Sequence, residues 1–201
     1  TLDYIDMILR DPAEGPAVDI RAKLEDIGPW LEGWGVGGVG GSVQGRFWAD
    51  GPLAVPTAGL EARLEEGSIQ AGEATIEGVD GRLDSRVDQG RLQVRGFDVR
   101  SPAGSVSASG SLRFADLREE QGEKVWRYRA VQPIGFDYAF SEVDLSLVDE
   151  VVGADLGASG RLDLQGRAGG SVQRPDVTFR ARIPDGGVRW LAFQQMKLDG
   201  R

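Results

Sequence analysis

Gly35-Val36-Gly37-Gly38-Val39-Gly40 fits G-x-G-x-x-G, the spacing that cradles a pyrophosphate in a dinucleotide site. Asp80, Asp84 and Asp88 recur at every fourth position and raise the question of a calcium loop. The stretch Arg118-Glu119-Glu120-Gln121-Gly122-Glu123-Lys124 holds the carboxylates that a glycosidase would divide into an acid and a base.

Each chemistry needs particular elements around it, and the sequence supplies others. A dinucleotide turn follows a buried strand, opens a helix and has an acidic residue about 20 positions on. Here the glycines follow a short helix expected to end near Trp34 and lead into Gly-Ser-Val-Gln-Gly-Arg-Phe, which alternates as a strand does. Positive φ and close backbone approach explain them better. Calcium loops need D-x-[DN]-x-[DN]-G. The three aspartates instead share one face of a strand with Arg82 and Arg86 between them, a charge-balanced solvated surface. The carboxylates around Gly122 read as a hairpin tip, and nothing sets two of them apart. Trp126 and Tyr128 alternate with Arg127 and Arg129, which is a strand pattern with cation–π geometry rather than a nucleic-acid platform. Trp30 and Trp34 either pack a helix under the sheet or line the edge of a groove.

The chain has no His and no Cys among its 201 residues. That removes the usual proton shuttle, thiol nucleophiles, disulfides and ordinary structural zinc. An enzyme built on this sequence would rely on carboxylates, Lys, Tyr or Ser, and none is expected. No metal or cofactor is expected either. Lys and Arg number 23 against 32 Asp and Glu, a net charge of -9. Bulk charge therefore disfavours nucleic-acid phosphates and anionic membrane surfaces, and says nothing against an apolar ligand. No apolar run reaches the length of about 18 residues that a membrane span needs. The start, TLDYIDMILRDP, is too acidic for a signal peptide. Beginning without Met and ending in mid-repeat, the chain reads as a piece of something longer.

From residue 39 onward the apolar positions alternate. Leu60, Ala62 and Leu64 oppose Glu61, Arg63 and Glu65; Leu92 and Val94 oppose Arg91, Gln93 and Arg95. Val106, Ala108, Leu112 and Phe114 oppose Ser105, Ser107, Ser109 and Arg113, and the same period carries Leu162, Leu164, Val177, Phe179, Ala181 and Ile183. Period two marks strands with one apolar and one polar face. The 30 glycines punctuate these runs as turns do. Residues 1–34 differ. Leu2, Ile5, Ile8 and Leu9 stand at helical spacing, Val18–Leu24 alternates, and a short helix follows with Asp26 as N-cap, Pro29 in its first turn and Gly33 or Gly35 as its stop. A second short helix is expected over residues 147–152, capped by Asp144 or Ser146 and ended by Gly153.

The chain repeats. Shifting residues 41–82 by 119 positions lays Gly41 on Gly160, Gly51 on Gly170, Pro56 on Pro175, Ala62-Arg63 on Ala181-Arg182, Gly67 on Gly186 and Asp80-Gly81-Arg82 on Asp199-Gly200-Arg201. The segments in front match in kind: strand, short helix, Gly-rich link, strand. The expected organisation is a lead-in over 1–38, a first β-repeat over 39–139, and a helical step with the start of a second repeat over 140–201.

The Gly-punctuated strand of GGVGGSVQG and GASGRLDLQG, the Pro-led strand after it, the DGRL step and RLQVRGFDVRSPAGSVSASGSLRF resemble the TamB (translocation and assembly module) family and the wider AsmA-like group of bridge-like lipid transport proteins. The resemblance covers nearly all of residues 35–201 and consists of structural periodicities, with no catalytic signature. It implies an all-β fold: an elongated, curled repeat β-sheet, a β-taco-like groove, with short helices between repeats. It also implies a periplasmic section of a protein anchored in the inner membrane of a Gram-negative bacterium. That section would shield phospholipid acyl chains on their way to the outer membrane and serve outer-membrane protein assembly with a TamA-like partner. Membrane contact would come through parts outside this chain. The expected groove positions are Leu64, Ile69, Ile76, Leu92, Val94, Val106, Leu112, Phe114, Leu162, Leu164, Phe179, Ile183, Val188 and Trp190. The competing expectation is a structural or chaperone-like β-scaffold, its apolar face an ordinary dry core packed on another sheet.

Overall fold

The computed structural model describes residues 2–9, 18–33, 38–51, 56–71, 74–120, 122–147, 157–188, 191–193 and 195–200. In chain order the elements are β1 (Leu2–Leu9), β2 (Val18–Leu24), α1 (Gly28–Glu32), β3 (Val39–Asp50), β4 (Thr57–Ala71), β5 (Ala74–Asp88), β6 (Arg91–Ser101) and β7 (Gly104–Arg113). They continue with β8 (Ala115–Glu120), β9 (Glu123–Tyr128), β10 (Ile134–Asp144), β11 (Ala158–Ser171), β12 (Arg174–Ile183), β13 (Gly186–Val188), β14 (Leu191–Phe193) and β15 (Met196–Gly200). The fold is all-β, and the sheet is not closed into a barrel.

One antiparallel sheet runs in the order β1-β2-β3-β4-β5-β6-β7-β10-β11-β12-β15, with β13 pairing β11 and β14 at one end. The hairpin β8–β9 interrupts this meander and forms its own two-stranded sheet. Neighbours in sequence are neighbours in space because the links are short. Asp88 pairs Arg91 across Gln89 and Gly90, whose φ values of 48 and 73 are those of a two-residue primed turn.

The helical spacing at the start is overturned. Leu2–Leu9 is a strand, with Ile5, Met7 and Leu9 opposite Ala22, Ile20 and Val18. A short apolar run fits both periods, and pairing with β2 decides between them. The sheet therefore begins well before residue 39. It also passes through the expected segment boundary at 139/140, which falls inside β10.

Both short helices begin within one or two residues of the expected positions. The N-cap of α1 is Ile27 rather than Asp26; Asp26 instead accepts the Gly28 N–H at 2.9 Å, Pro29 sits in the first turn and Gly33 closes the helix. Asp144 accepts the N–H and the hydroxyl of Ser146, at 3.0 and 2.6 Å, where a helical turn begins at 145–147. The rest of that expected helix, with Gly153, lies outside the described residues. The glycine run leaves α1 and enters β3, which lies antiparallel to both neighbours. The described elements on either side of it do not form a βα unit; Gly35 and Gly37 themselves fall outside the described residues.

The repeat is visible in the backbone. Gly38, Gly41 and Gly51 have φ of 77, 122 and 91; Gly157, Gly160 and Gly170, each 119 positions on, have 58, 110 and 78. A Cβ on Gly41 would stand 2.6 Å from the Gly67 Cα, and one on Gly160 would stand 2.8 Å from the Gly186 Cα. These sites need glycine for close approach as well as for φ. Gly45 pairs Ala62 as Leu164 pairs Ala181, so β3–β4 and β11–β12 share one register. The copies part at the next strand. Gly81 pairs Leu64, whereas Gly200 pairs Phe179, the counterpart of Leu60. The Asp-Gly-Arg match in sequence is thus displaced by four residues in pairing, an even step that keeps each side chain on its face. In the sheet order β11 stands six strands from β3.

Elements in substantial contact are hydrogen-bonded neighbours, apart from α1 against β3. No second layer covers the main sheet among the described residues. Among the described residues the buried apolar side chains are Val79, Ala115, Ala181 and Ile183.

Candidate functional site

In an antiparallel ladder directly paired residues project on the same face, so rows of partners can be followed across the sheet. One row runs Leu24, Val43, Leu64, Gly81, Val99, Val106, Phe140, Leu164, Ala181, Leu198. The next on that face runs Ala22, Gly45, Ala62, Leu83, Phe97, Ala108, Tyr138, Gly166, Phe179, Gly200. A third runs Ile20, Phe47, Leu60, Ser85, Val94, Gly110, Phe136, Ala168, Val177. A fourth, shorter row contains Val18, Ala49, Ala58, Val87, Leu92, Leu112 and Ile134. None of these positions carries a charge.

This face is only partly shielded. Phe47, Leu60, Phe97, Phe140, Val177, Phe179 and Leu198 remain 36–51% exposed, and all seven belong to these rows. Four aromatic rings lie over cross-strand glycines. On the apolar face Phe136 covers Gly110, Tyr138 covers Gly166 and Phe179 covers Gly200; on the opposite face Trp48 covers Gly59. The glycine gives up its own side chain and receives a neighbour's ring.

The opposite face is charged. One of its rows reads Lys23, Gln44, Arg63, Arg82, Asp98, Ser107, Ala139, Gln165, Arg180, Asp199. Ion pairs stitch this face across strands: Arg46 holds Asp19 through two contacts of 2.7 and 3.0 Å, and Arg180 meets Asp199 at 3.0 Å. The Asp19 carboxylate raises the Arg46 pKa, by hydrogen bond first and by charge second. The Arg86 guanidinium stands 5.5 Å from the centre of the Trp48 ring. Asp80, Arg82, Asp84, Arg86 and Asp88 alternate along this face as expected. Two hollows open on it, of about 700 and 670 Å³, the first bordered by Arg21, Arg46, Arg63, Arg82 and Arg100, the second by Asp137, Arg167 and Arg180, with Asp98 common to both. Leu64 borders the first hollow and Phe179 the second.

The expected groove positions divide as follows. Leu64, Val106 and Leu164 fall in the first row, Phe179 in the second, Val94 in the third, and Leu92 and Leu112 in the fourth. Ile69 pairs Ile76 beyond a bulge, Leu162 pairs Val143, and Ile183 pairs Met196 and is buried. Val188 pairs Ala158 and Leu191 by its backbone. Trp190, like Trp34, lies outside the described residues. Phe114 sits in the link between β7 and β8, its N–H bonded to the Gly90 carbonyl and its ring 6.3 Å from that of Tyr128.

Phe97 and Phe140 were not anticipated. Bulges between Val94 and Phe97 and between Phe140 and Val143 insert an extra residue, so the apolar positions break from period two while staying on one face. A glycine beside an aromatic, as in Arg95-Gly96-Phe97, and an odd spacing are the signals that could have found them.

The carboxylates suggested for glycosidase chemistry lie on the β8–β9 hairpin. Arg127 hydrogen-bonds Glu120 and holds its carboxyl below the usual range, the reverse of what a general acid requires. Among the described residues no three His, Cys, Asp or Glu side chains gather as metal ligands. No helix of the structure is long and apolar enough to cross a membrane among the described residues. No protein-family model, no curated protein and no solved structure matches this chain.

Proposed function

We propose that this chain is a section of a periplasmic lipid bridge resembling the TamB family, in which the apolar sheet face shields phospholipid acyl chains between the inner and outer membranes. One observation carries the proposal: seven large apolar side chains, all on one face of the sheet, stay more than a third exposed, with no layer over them among the described residues. At about 4.8 Å per strand and 3.4 Å per residue, such a face spans on the order of 1,000 Å². Soluble monomers rarely expose apolar patches above a few hundred Å² unless something binds there.

Hydrocarbon suits such a surface. Burial of each methylene against it gives about 0.8 kcal/mol, and the gain has no directionality, so a chain can slide from strand to strand. The charged face keeps the section wetted. The inner-membrane anchor and the TamA-like partner belong to this proposal and would act through other parts of the protein. No catalysis is assigned to the section.

The test is photocrosslinking in living cells with a probe replacing Leu92 and, separately, Phe179, and with Gln93 and Arg180 as controls on the charged face. Covalently attached phospholipid at the first pair and not the second is expected. No lipid at either apolar position in folded protein would refute conduction and leave the dry β-scaffold.

A further inference from the structure

Along the second row the apolar face changes character. On β2, β3 and β4 it holds Ala22, Gly45 and Ala62, then Leu83 and Phe97 stand up on β5 and β6. Gly45 differs from the other glycines of these rows. A Cβ on Gly81 would meet the Leu64 Cβ at 3.3 Å, one on Gly110 the Phe136 ring at 2.6 Å, and those on Gly166 and Gly200 the rings of Tyr138 and Phe179. A Cβ on Gly45 would meet nothing nearer than the Glu61 carbonyl oxygen at 3.7 Å. The floor is therefore bare here and roofed elsewhere.

Two rows of larger side chains flank this floor: Leu24, Val43 and Leu64 on one side, Ile20, Phe47 and Leu60 on the other. They stand four residues apart along each strand, about 14 Å between backbones, and their side chains fill part of that width. A helix of about 10–12 Å diameter does not enter the remaining space. The trough runs across the strands and is blocked by Leu83, about 14 Å from β2 at the usual strand spacing.

Its chemistry is as selective as its width. β2, β3 and β4 are each paired on both edges, so the floor offers no free backbone donor or acceptor. The six wall and three floor residues carry no polar side-chain atom. A ligand segment with hydrogen-bonding groups would leave them unmet, at a cost that a hydrocarbon does not incur.

We infer that the Ala22–Gly45–Ala62 trough is a discrete seat for one acyl chain, lying across the strands with its end against Leu83. The inference rests on the lipid reading above and adds a place, an orientation and a stop. Elsewhere on the face a chain meets raised rings and passes over them; here it sinks between the walls.

The experiment uses the protein mixed with vesicles of phosphatidylethanolamine and phosphatidylglycerol. A photocrosslinking residue replaces the wall residue Leu60 in one variant and Phe179 in another, each with and without Gly45→Leu. Lipid capture at position 60 is expected, falling about ten-fold with Gly45→Leu, the ratio given by excluding two methylene groups. Capture at position 179 should not change. A thermal melt checks folding of each variant, and Gly45→Leu is expected to melt no lower than the parent because the site is open. Capture at 179 with none at 60, or capture at 60 indifferent to Gly45→Leu, overturns the trough and leaves the lipid reading standing. Absence of capture at both positions overturns both.

Discussion

Adding one methyl group at Gly45 or at Gly166 should have opposite effects, although both residues lie in one row of one face. Neither has positive φ, so the backbone accepts alanine at each. At Gly45 the new methyl meets only ordinary van der Waals contact, and the loss of unfolded-chain freedom should stabilise by about 0.4–1 kcal/mol. At Gly166 it would run into the Thr178 carbonyl oxygen and the Tyr138 phenol. The tyrosine can swing aside, but the carbonyl belongs to the ladder that sets Gly166 opposite Phe179. Overpacking of this kind costs about 1–3 kcal/mol, which outweighs the entropic gain. The two variants should thus differ by about 2 kcal/mol. In urea, with a slope of about 2 kcal/mol per molar for a chain of this size, their midpoints should lie about 1 M apart, Gly45→Ala above the parent and Gly166→Ala below it. Equal midpoints, or the reverse order, would refute the assignment of open and roofed glycines, and with it the bare trough.

Phe140 is 36% exposed, so Phe140→Ala should cost about 1–2 kcal/mol by chemical denaturation, against about 3–5 for a fully buried phenylalanine; the larger value would mean that something covers the face. Gly59→Ala should destabilise because its methyl meets the Trp48 indole, and should lose most of that cost in a Trp48→Ala background, giving a coupling of about 1 kcal/mol or more in a double-mutant cycle. The Ser146 hydroxyl, and then its N–H, hold the Asp144 carboxyl below its ordinary value of 3.8. This contribution is present above pH 3.8 and is lost as pH falls through the lower folded value, so parent and Asp144→Asn should differ in stability at pH 6 and converge only as pH falls well below 3.8.

Strand faces were largely legible because alternation is local: Leu60, Ala62 and Leu64 report their face without knowledge of their partners. Bulges defeat such a reading, since the extra residue after Val94 or Phe140 shifts the phase while the sheet keeps the face. β1 was illegible for another reason: Leu2, Ile5, Ile8 and Leu9 satisfy a helix as well as Ile5, Met7 and Leu9 satisfy a strand, and only β2 chooses. The Asp-Gly-Arg match revealed the repeat but not the pairing, because identity in sequence carries no register. The openness of Gly45 was out of reach altogether. Its neighbours across the ladder are Ala22 and Ala62, while Gly166 has Tyr138, and those pairings are set by turns and bulges far along the chain.

The six-strand interval between β3 and β11 has a rotational consequence. Each antiparallel step turns the sheet by about 20–25°, so one full repeat advances about 29 Å along the stacking axis and rotates by about 120–150°. The positive-φ glycines of successive copies, alike in their own frames, then point to different compass bearings. At that twist the apolar face would wind like a ribbon on a screw, completing a revolution in about two and a half to three repeats. A partner that read one copy's face would find the next one turned away from it, whereas a pliant occupant would be rotated about the axis by as much as it advanced.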